Sequence, residues 1–366
     1  MKDKIKSLID LSQIEPEALK QIYDVASLDI VKKLAIMPDV HTGYDLCIGG
    51  VALVEDHISP SFVGYDIGCG MCFVNTGVKK EEIFRSRKER EKIAQQIYKA
   101  IPVGNNIRKK PLDYKPFKSA SGDKNLTKKV NDKLYHSLGT LGSGNHFIEI
   151  GENLEGYVCI TIHSGSRNIG HSIASYYMKK GRFLPLKSDI GQAYIQDMNF
   201  ALEYALENRL TMMKEILKIL GFTEKEAKKI IKKTLINENH NHAVITEEGV
   251  LHRKGATPAD EGQLGIIPAN MRDGVYVTVG LGNKEFLSSA SHGAGRVLSR
   301  RKAKELIDLE EFKKVMDSAD IVAKVSPSTL DEAPFAYKDI NQVIEAQRGV
   351  VVEIIDQVKP VINIKG

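Results

Sequence analysis

The chain has no long apolar run. Nothing in its 366 residues approaches the ~20 consecutive apolar residues that a membrane-spanning helix requires. The opening stretch MKDKIKSLIDLSQIEPEAL scatters charges through its apolar positions, which excludes the uninterrupted core of a secretory signal. The cytoplasm is therefore the expected location. Cysteine is scarce, with four residues at 47, 69, 72 and 159. That excludes a disulfide scaffold and leaves thiols or metal ligands. Charge of one sign does not dominate, since 52 basic residues face 47 acidic ones for a net +5. So slight an excess identifies no partner, and the position of the charges says more than their sum. No repeat of fixed period and no compositional break marks a linker. With 42% hydrophobic and 27% charged residues, the composition is that of an ordinary globular protein.

The pattern along the chain predicts an α+β fold in a single large domain, residues 1–366, with layered central β-sheets flanked by helices. Between Ala35 and Asn75, glycines alternate with short apolar runs (CIGGVALVE, FVGYDIGCGMCFV), which reads as strands broken by tight turns. Helical spacing follows from Lys79 to Ala100. The lysine-rich stretch from Asn105 to Lys133 reads as a polar surface excursion. YVCITIHSG reads as a buried strand ending in a turn. A helical insertion, a sub-lobe of about residues 190–234, contains a second helix that starts at Thr223, where Thr223 and Glu226 fit a capping box. Strands and loops are expected from Asn241 to Gly280, and helices around Arg300–Val322 and Ile340–Val358.

Potential metal ligands recur where strands meet loops. GYDIGCGMC offers Asp66 and Cys69, GSGNHFIE offers His146, and TIHSGSR offers His163. NHNHA offers His240 or His242, and SHGAGR offers His292. Thiolate, imidazole and carboxylate together suit zinc, manganese, iron or cobalt. A lone histidine is more often a hydrogen-bonded surface or core residue, but five such segments, each flanked by glycine or asparagine, favour a site. Cys72 stands in an apolar context with no second Cys-x-x-Cys, and is read as core. A second set of motifs suits phosphate: HSGSR with Arg167, HRKGA with Arg253 and Lys254, and HGAGRVLSR with Arg296 and Arg300. Guanidinium forks match phosphate oxygens, and glycine-rich turns expose backbone N–H groups to anions.

Taken together, MPDVHTGYDLCIGG, VGYDIGCGM, GTLGSGNHFIEI, IHSGSRNIGH, HRKGA, SHGAGRVLSR and the terminal INIKG resemble the RtcB family of RNA ligases, in the family's order from Met37 to Gly366. The resemblance implies an RtcB-like fold and the joining of RNA ends, a 3′-phosphate or 2′,3′-cyclic phosphate to a 5′-hydroxyl, with GTP and two Mn²⁺ ions. It implies that His292 is the nucleophile that carries GMP, with Asp39 of the PDVH motif near the chemistry. It also implies that Asp66, Cys69, His146, His163 and His240 bind the metals, with Cys69 bridging. Nucleotide contacts carry over to Asn145, Phe147, Glu149, Asn241, Pro268, Asn270, Met271, Gly293, Ala294, Gly295 and Lys365. Lys365 would need the chain end to fold back over the nucleotide. Arg167, Lys254 and Arg300 match positions suited to RNA phosphates. Asn270 and Val275 stand where the family commonly has serine, so hydroxyl contacts are not expected there. RNA repair or tRNA splicing is the implied setting, without a membrane. A monomer is the expected state, and an archease-like activating protein is a candidate partner. The rival activity is a metal-dependent phosphodiesterase acting on RNA or nucleotide phosphates, which has no use for a histidine before Gly-Ala-Gly.

Overall fold

The computed structural model describes residues 2–366. Two sheets carry the architecture. The smaller has five strands in the order Ile5–Ser7, Val31–His41, Ile48–Val54, Gly249–Lys254, Asn241–Thr246. The larger has eight strands. Seven run in the order Leu264–Pro268, Val275–Gly280, Val352–Lys365, Phe147–Asn153, Tyr157–Ser164, Gly70–Lys79, Ile236–Asn239, and Val322–Ala323 pairs beside Val352–Lys365. Helices flank both sheets, so the chain is a single α+β domain with layered sheets. Among the described residues no helix is long and apolar enough to cross a membrane.

The period-2 alternation of strand side chains explains how the larger sheet is buried on both faces. Cys72, Val74, Ile148, Ile150, Ile160, Ile162, Ile362 and Ile364 point outward, under Ile97, Met212 and Ile216 of helices Arg87–Ala100 and Asp189–Ile219. Met71, Phe73, Phe147, Cys159, Ile266, Val275 and Val277 point inward and pack on one another. The sheet curls until its edges nearly meet. The Ile266 N–H of one edge strand donates to Glu238 Oε1 of the other at 2.8 Å. The result is an almost closed barrel with an apolar lower interior. Cys72 is core, as its surroundings imply, and burial pushes its thiol up to about 12.

Three stretches differ from their sequence-based expectation. The excursion from Asn105 to Lys133 ends in a helix, Lys124–Ser137, capped by Asp123 accepting from Leu126 N–H. Leu126, Val130 and Leu134 recur every fourth residue and are buried, a pattern hidden among the lysines. Near the C-terminus the helix stops at Glu345, and Val352–Lys365 is a 14-residue strand. Its β-branched residues favour the pleated ladder over a helix. Residues 190–234 do form helices, Asp189–Ile219 and Glu224–Thr234, the second opened by the Thr223–Glu226 capping box. The first lies inside the body. Tyr194, Met198 and Tyr204 pack into one cluster of buried side chains, and Met212 and Ile216 into another.

Candidate functional site

At one end of the barrel the side chains turn from apolar to polar, and the motifs from separate parts of the chain meet there. Asp66 and Cys69 lie on the turn before strand Gly70–Lys79. His146 precedes strand Phe147–Asn153, His163 is near the end of Tyr157–Ser164, and His240 stands between Ile236–Asn239 and Asn241–Thr246. They form an unbroken file. Asp66 Oδ2 is 3.3 Å from His146 Nε2, which is 3.2 Å from Cys69 Sγ. Cys69 Sγ is 3.1 Å from His163 Nε2, which is 3.4 Å from His240 Nε2. The His240 and His292 rings then meet with centroids 4.8 Å apart. Cys69 stands in the middle.

Local hydrogen bonds orient this file. His146 Nδ1 faces the Leu141 carbonyl at 3.0 Å and His163 Nδ1 the Asn145 carbonyl at 3.2 Å. A carbonyl can only accept, so each Nδ1 carries a proton; His163 Nε2 then presents a lone pair to the thiol, while His146 Nε2 faces both the thiol and the Asp66 carboxylate. Burial holds His163 and His240 well below the ordinary histidine range, so both are neutral. Burial, and then Asp66, push the Cys69 thiol far up. Around Asp66 the enclosing protein opposes the charge, but His146 and Arg167 outweigh it and hold the carboxyl below its usual range. The buried His240 Nδ1 has no partner among the described residues. Lone pairs, a thiol and a carboxylate crowded at these distances are a set that divalent metal would satisfy, and such an ion would reverse the shift on Cys69. The residues therefore fit a borderline transition metal.

The loops are tied together from below by Arg209 of helix Asp189–Ile219, which is fully buried. Its guanidinium donates to Gly68 O at 2.8 Å, Ser164 O at 2.7 Å and Asn239 Oδ1 at 2.9 Å, each next to a ligand candidate. Nothing in its sequence context marked it.

His292 is held from the other side. Its Nδ1 lies 2.6 Å from Asp39 Oδ2, and its backbone N–H donates to the same oxygen at 3.2 Å. Asp39 is fully buried. The pair fixes the proton on Nδ1 and leaves the lone pair on Nε2. Gly295 explains part of the Gly-Ala-Gly loop, because its φ is +75° and a side chain there would collide with the Asp39 carbonyl. The Ala294 N–H donates to Pro268 O at 3.0 Å, which packs this loop on the Pro268–Met271 turn.

Beside His292 opens a cleft that widens into solvent. Of the residues that the resemblance assigns to the nucleotide, Asn145, Phe147, Glu149, Pro268, Asn270, Met271, Gly293, Ala294, Gly295 and Lys365 line it. So do His41, Tyr337 and Asn363, which the resemblance does not single out. Thr161, Glu149 and Asn363 are cross-strand neighbours in one row. Each has a buried oxygen without a partner: Oγ1, Oε1 and Oδ1. Burial raises the Glu149 carboxyl to about 8. Donors on the edge of a flat polar ring placed here would partner these oxygens and favour the ionised Glu149 carboxylate over the protonated form that burial alone favours. Asn363 and Lys365 share one strand face at i and i+2, a signal present in INIKG.

Other expected residues have different neighbours. Lys365 does not reach the cleft by a fold-back. It pairs with Phe147 inside the sheet, and its Nζ bonds Glu332 at 2.6 Å. An extended strand already aims the side chain inward, so no reversal is needed. Asn241 does not line the cleft; its amide braces Asp66 O and the Gly255 N–H. The Asn270 side chain is occupied by its own turn, through Asp273 and Arg272 N–H. Val275 is buried in the barrel. His242 faces away, its Nε2 3.5 Å from Arg253 Nη1, which leaves His240 as the histidine of the cluster. Arg167 lies over His146 with Nη1 3.5 Å from its Nδ1, on a backbone of φ +58° that few non-glycine residues adopt. Lys254 Nζ donates to Val63 O at 3.1 Å, near Asp66. Arg300 is engaged by Asp331 at 2.7 Å and Glu332 at 2.8 Å.

The family described as "tRNA-splicing ligase RtcB" matches residues 21–121 and 117–366. The "RNA-splicing ligase RtcB" of Escherichia coli (strain K12) is 34% identical over 393 aligned positions, covering 96% of this chain and 95% of the relative. The "RNA-splicing ligase RtcB homolog 1" of Entamoeba dispar is 30% identical, covering 98% and 83%. The "tRNA-splicing ligase RtcB" of Pyrobaculum aerophilum is 29% identical, covering 90% and 87%.

Proposed function

The chain belongs to the RtcB family of RNA-splicing ligases, and on that premise we propose that it seals RNA 3′-phosphate or 2′,3′-cyclic phosphate ends to 5′-hydroxyl ends through a GMP carried on His292. The observation that supports this most is the continuity of the file from Asp66 to His240 with the His292–Asp39 pair, at the mouth of a cleft whose row of free acceptors suits guanine. Asp39 accepts from Nδ1 and orients the ring, so that Nε2 attacks the α-phosphorus of GTP; the N–P bond forms as the bond to pyrophosphate breaks. Glu149 and Asn363 accept from the guanine edge. A cyclic phosphate is first opened by water, which breaks the bond to O2′ and leaves a 3′-phosphate; the guanylate then passes from His292 to an oxygen of that 3′-phosphate, and His292 regains its lone pair. The 5′-hydroxyl then attacks that activated phosphorus, the phosphodiester forms and GMP leaves. Asp66, Cys69, His146, His163 and His240 would hold two Mn²⁺ ions, which when bound offset phosphate charge and polarise the oxygens under attack.

The test combines labelled nucleotide with defined RNA ends. Protein incubated with α-labelled GTP and Mn²⁺ is expected to take up label, and to join only 3′-phosphate or cyclic-phosphate ends to 5′-hydroxyl ends. RNA cleavage with no uptake of label would support the phosphodiesterase reading instead. Arg167, Lys254 and Arg300 are assigned to RNA phosphates. Alanine at any one is expected to weaken RNA binding and lower the slope of log affinity against log salt by about one contact's share, roughly 0.7 for a single strand. Normal RNA binding with lost labelling would assign them to GTP.

A further inference from the structure

Three aromatic rings stand together on segments adjoining those that carry the metal-ligand file. Tyr65 stacks on His171 with centroids 5.1 Å apart and planes at 24°. Tyr44 meets Tyr65 edge-on at 5.4 Å and 64°. Tyr44 is 63% exposed, the one aromatic among the large exposed hydrophobic side chains of the described residues.

Each ring is fixed to an element of the site. Tyr44 lies in the loop between Val31–His41, which carries Asp39, and Ile48–Val54. Tyr65 immediately precedes Asp66. His171 is on helix Asn168–Met178, which Arg167 begins. The cleft beside His292 is lined by neither Tyr44 nor Tyr65, so the rings do not serve the group that fills it. Asp66 is the most open member of the file, its side chain 41% exposed against 6% for His146. An RNA end that reaches the metal ligands over Asp66 rather than through the cleft comes by the turn on which Tyr65 immediately precedes Asp66.

From this placement we propose that Tyr44, Tyr65 and His171 form a stacking platform for a terminal nucleobase of the RNA, which registers the end phosphate or hydroxyl on the metal ligands. The proposal rests on the RNA-ligase reading above and adds how the RNA end is placed. Every base offers a π-face, so the platform tolerates any terminal base. A tyrosine ring exposed to this degree, with its edge on one neighbour, keeps a face free for that contact.

RNA carrying 2-aminopurine at its 3′-terminal or, in a second arm, its 5′-terminal nucleotide reads the contact directly, because stacking quenches that base. Wild-type protein is expected to quench one arm, and the arm that responds identifies the seated end. Tyr44→Leu should abolish the quench and raise the KM for RNA about tenfold. Tyr44→Phe should retain both wild-type values, and all three proteins should take up label from α-labelled GTP equally. Tyr44 lies at the surface, so its replacement leaves the core intact. No quench in either arm, or wild-type quench and KM in Tyr44→Leu, overturns the platform while labelling and sealing by the wild type keep the ligase reading. A wild type that neither labels nor seals removes the ligase reading, and the platform with it.

Discussion

The His292→Ala variant is expected to take up no label from α-labelled GTP and to lose RNA sealing by about 10⁴-fold or more. Wild-type protein should carry one GMP, lost on acid treatment and stable to base, as a phosphoramidate is and a phosphoester on serine is not. Mass spectrometry should place it on the peptide containing His292. The geometry states which nitrogen is used. Asp39 holds Nδ1 at 2.6 Å, so the adduct belongs on Nε2. Its Oδ2 accepts from both the ring and the backbone N–H of His292, so Asp39 fixes the ring's orientation as well as its tautomer. The variant should still join RNA whose 3′-phosphate already bears guanylate, at least slowly, because that step needs positioning but no nucleophile from the protein. Label on Lys254 or Lys365 in the wild type would overturn the assignment and make the protein resemble lysine-based nucleotidyl transferases.

Cys69→Ala is expected to be the most damaging change outside His292. Its sulfur lies 3.2 Å from His146 Nε2 and 3.1 Å from His163 Nε2, between the two halves of the file. Two ions sharing that sulfur would sit about 3.5–4 Å apart. Loss of a group that only supports a ligand typically costs 10–100-fold, so loss of a shared ligand should cost more than about 100-fold in sealing. Activity alone would not isolate the cause. Bound manganese measured by elemental analysis should fall below two per chain, and the spin-coupled signal of a close Mn²⁺ pair should vanish. Sealing like the wild type by Cys69→Ala, or an intact coupled pair, would remove cysteine from the bridging position.

Much of the site could be read from the sequence because its chemistry lies in short motifs at strand ends. Glycine and asparagine around Cys69, His146 and His240 already marked turns where distant segments meet. What escaped was the part set by pairing. Thr161 and Asn363 matter because register puts them beside Glu149, and register is a property of two segments, not one. Arg209 escaped because helical spacing reads a buried arginine as one more polar position, whereas here it ties three loops through their carbonyl and amide oxygens. By sequence alone, Val352–Val358 reads as the end of a helix, since the charges at 353, 356 and 359 mimic a helical face. In the structure both of its edges are paired for part of its length, and alternation decides the outcome. The helix Lys124–Ser137 was concealed in the opposite way, by lysines around a correct apolar stripe.

The barrel is sewn from segments far apart in the chain, and that bears on how the protein acquires its activity. Leu264–Pro268, Val275–Gly280 and Val352–Lys365 make one flank, and Phe147–Asn153, Tyr157–Ser164, Gly70–Lys79 and Ile236–Asn239 the other. They join along a single seam, Lys365 opposite Phe147 and Asn363 opposite Glu149, and at the far edge through the Glu238 carboxylate on Ile266 N–H. Contacts of such long sequence separation close late in folding, after local helices and hairpins have formed. The cleft straddles the seam. A refolding chain can therefore regain its helices and most of its hairpins before the cleft exists; on the proposed function, nucleotide capture is expected to report the closing of the seam where secondary structure does not.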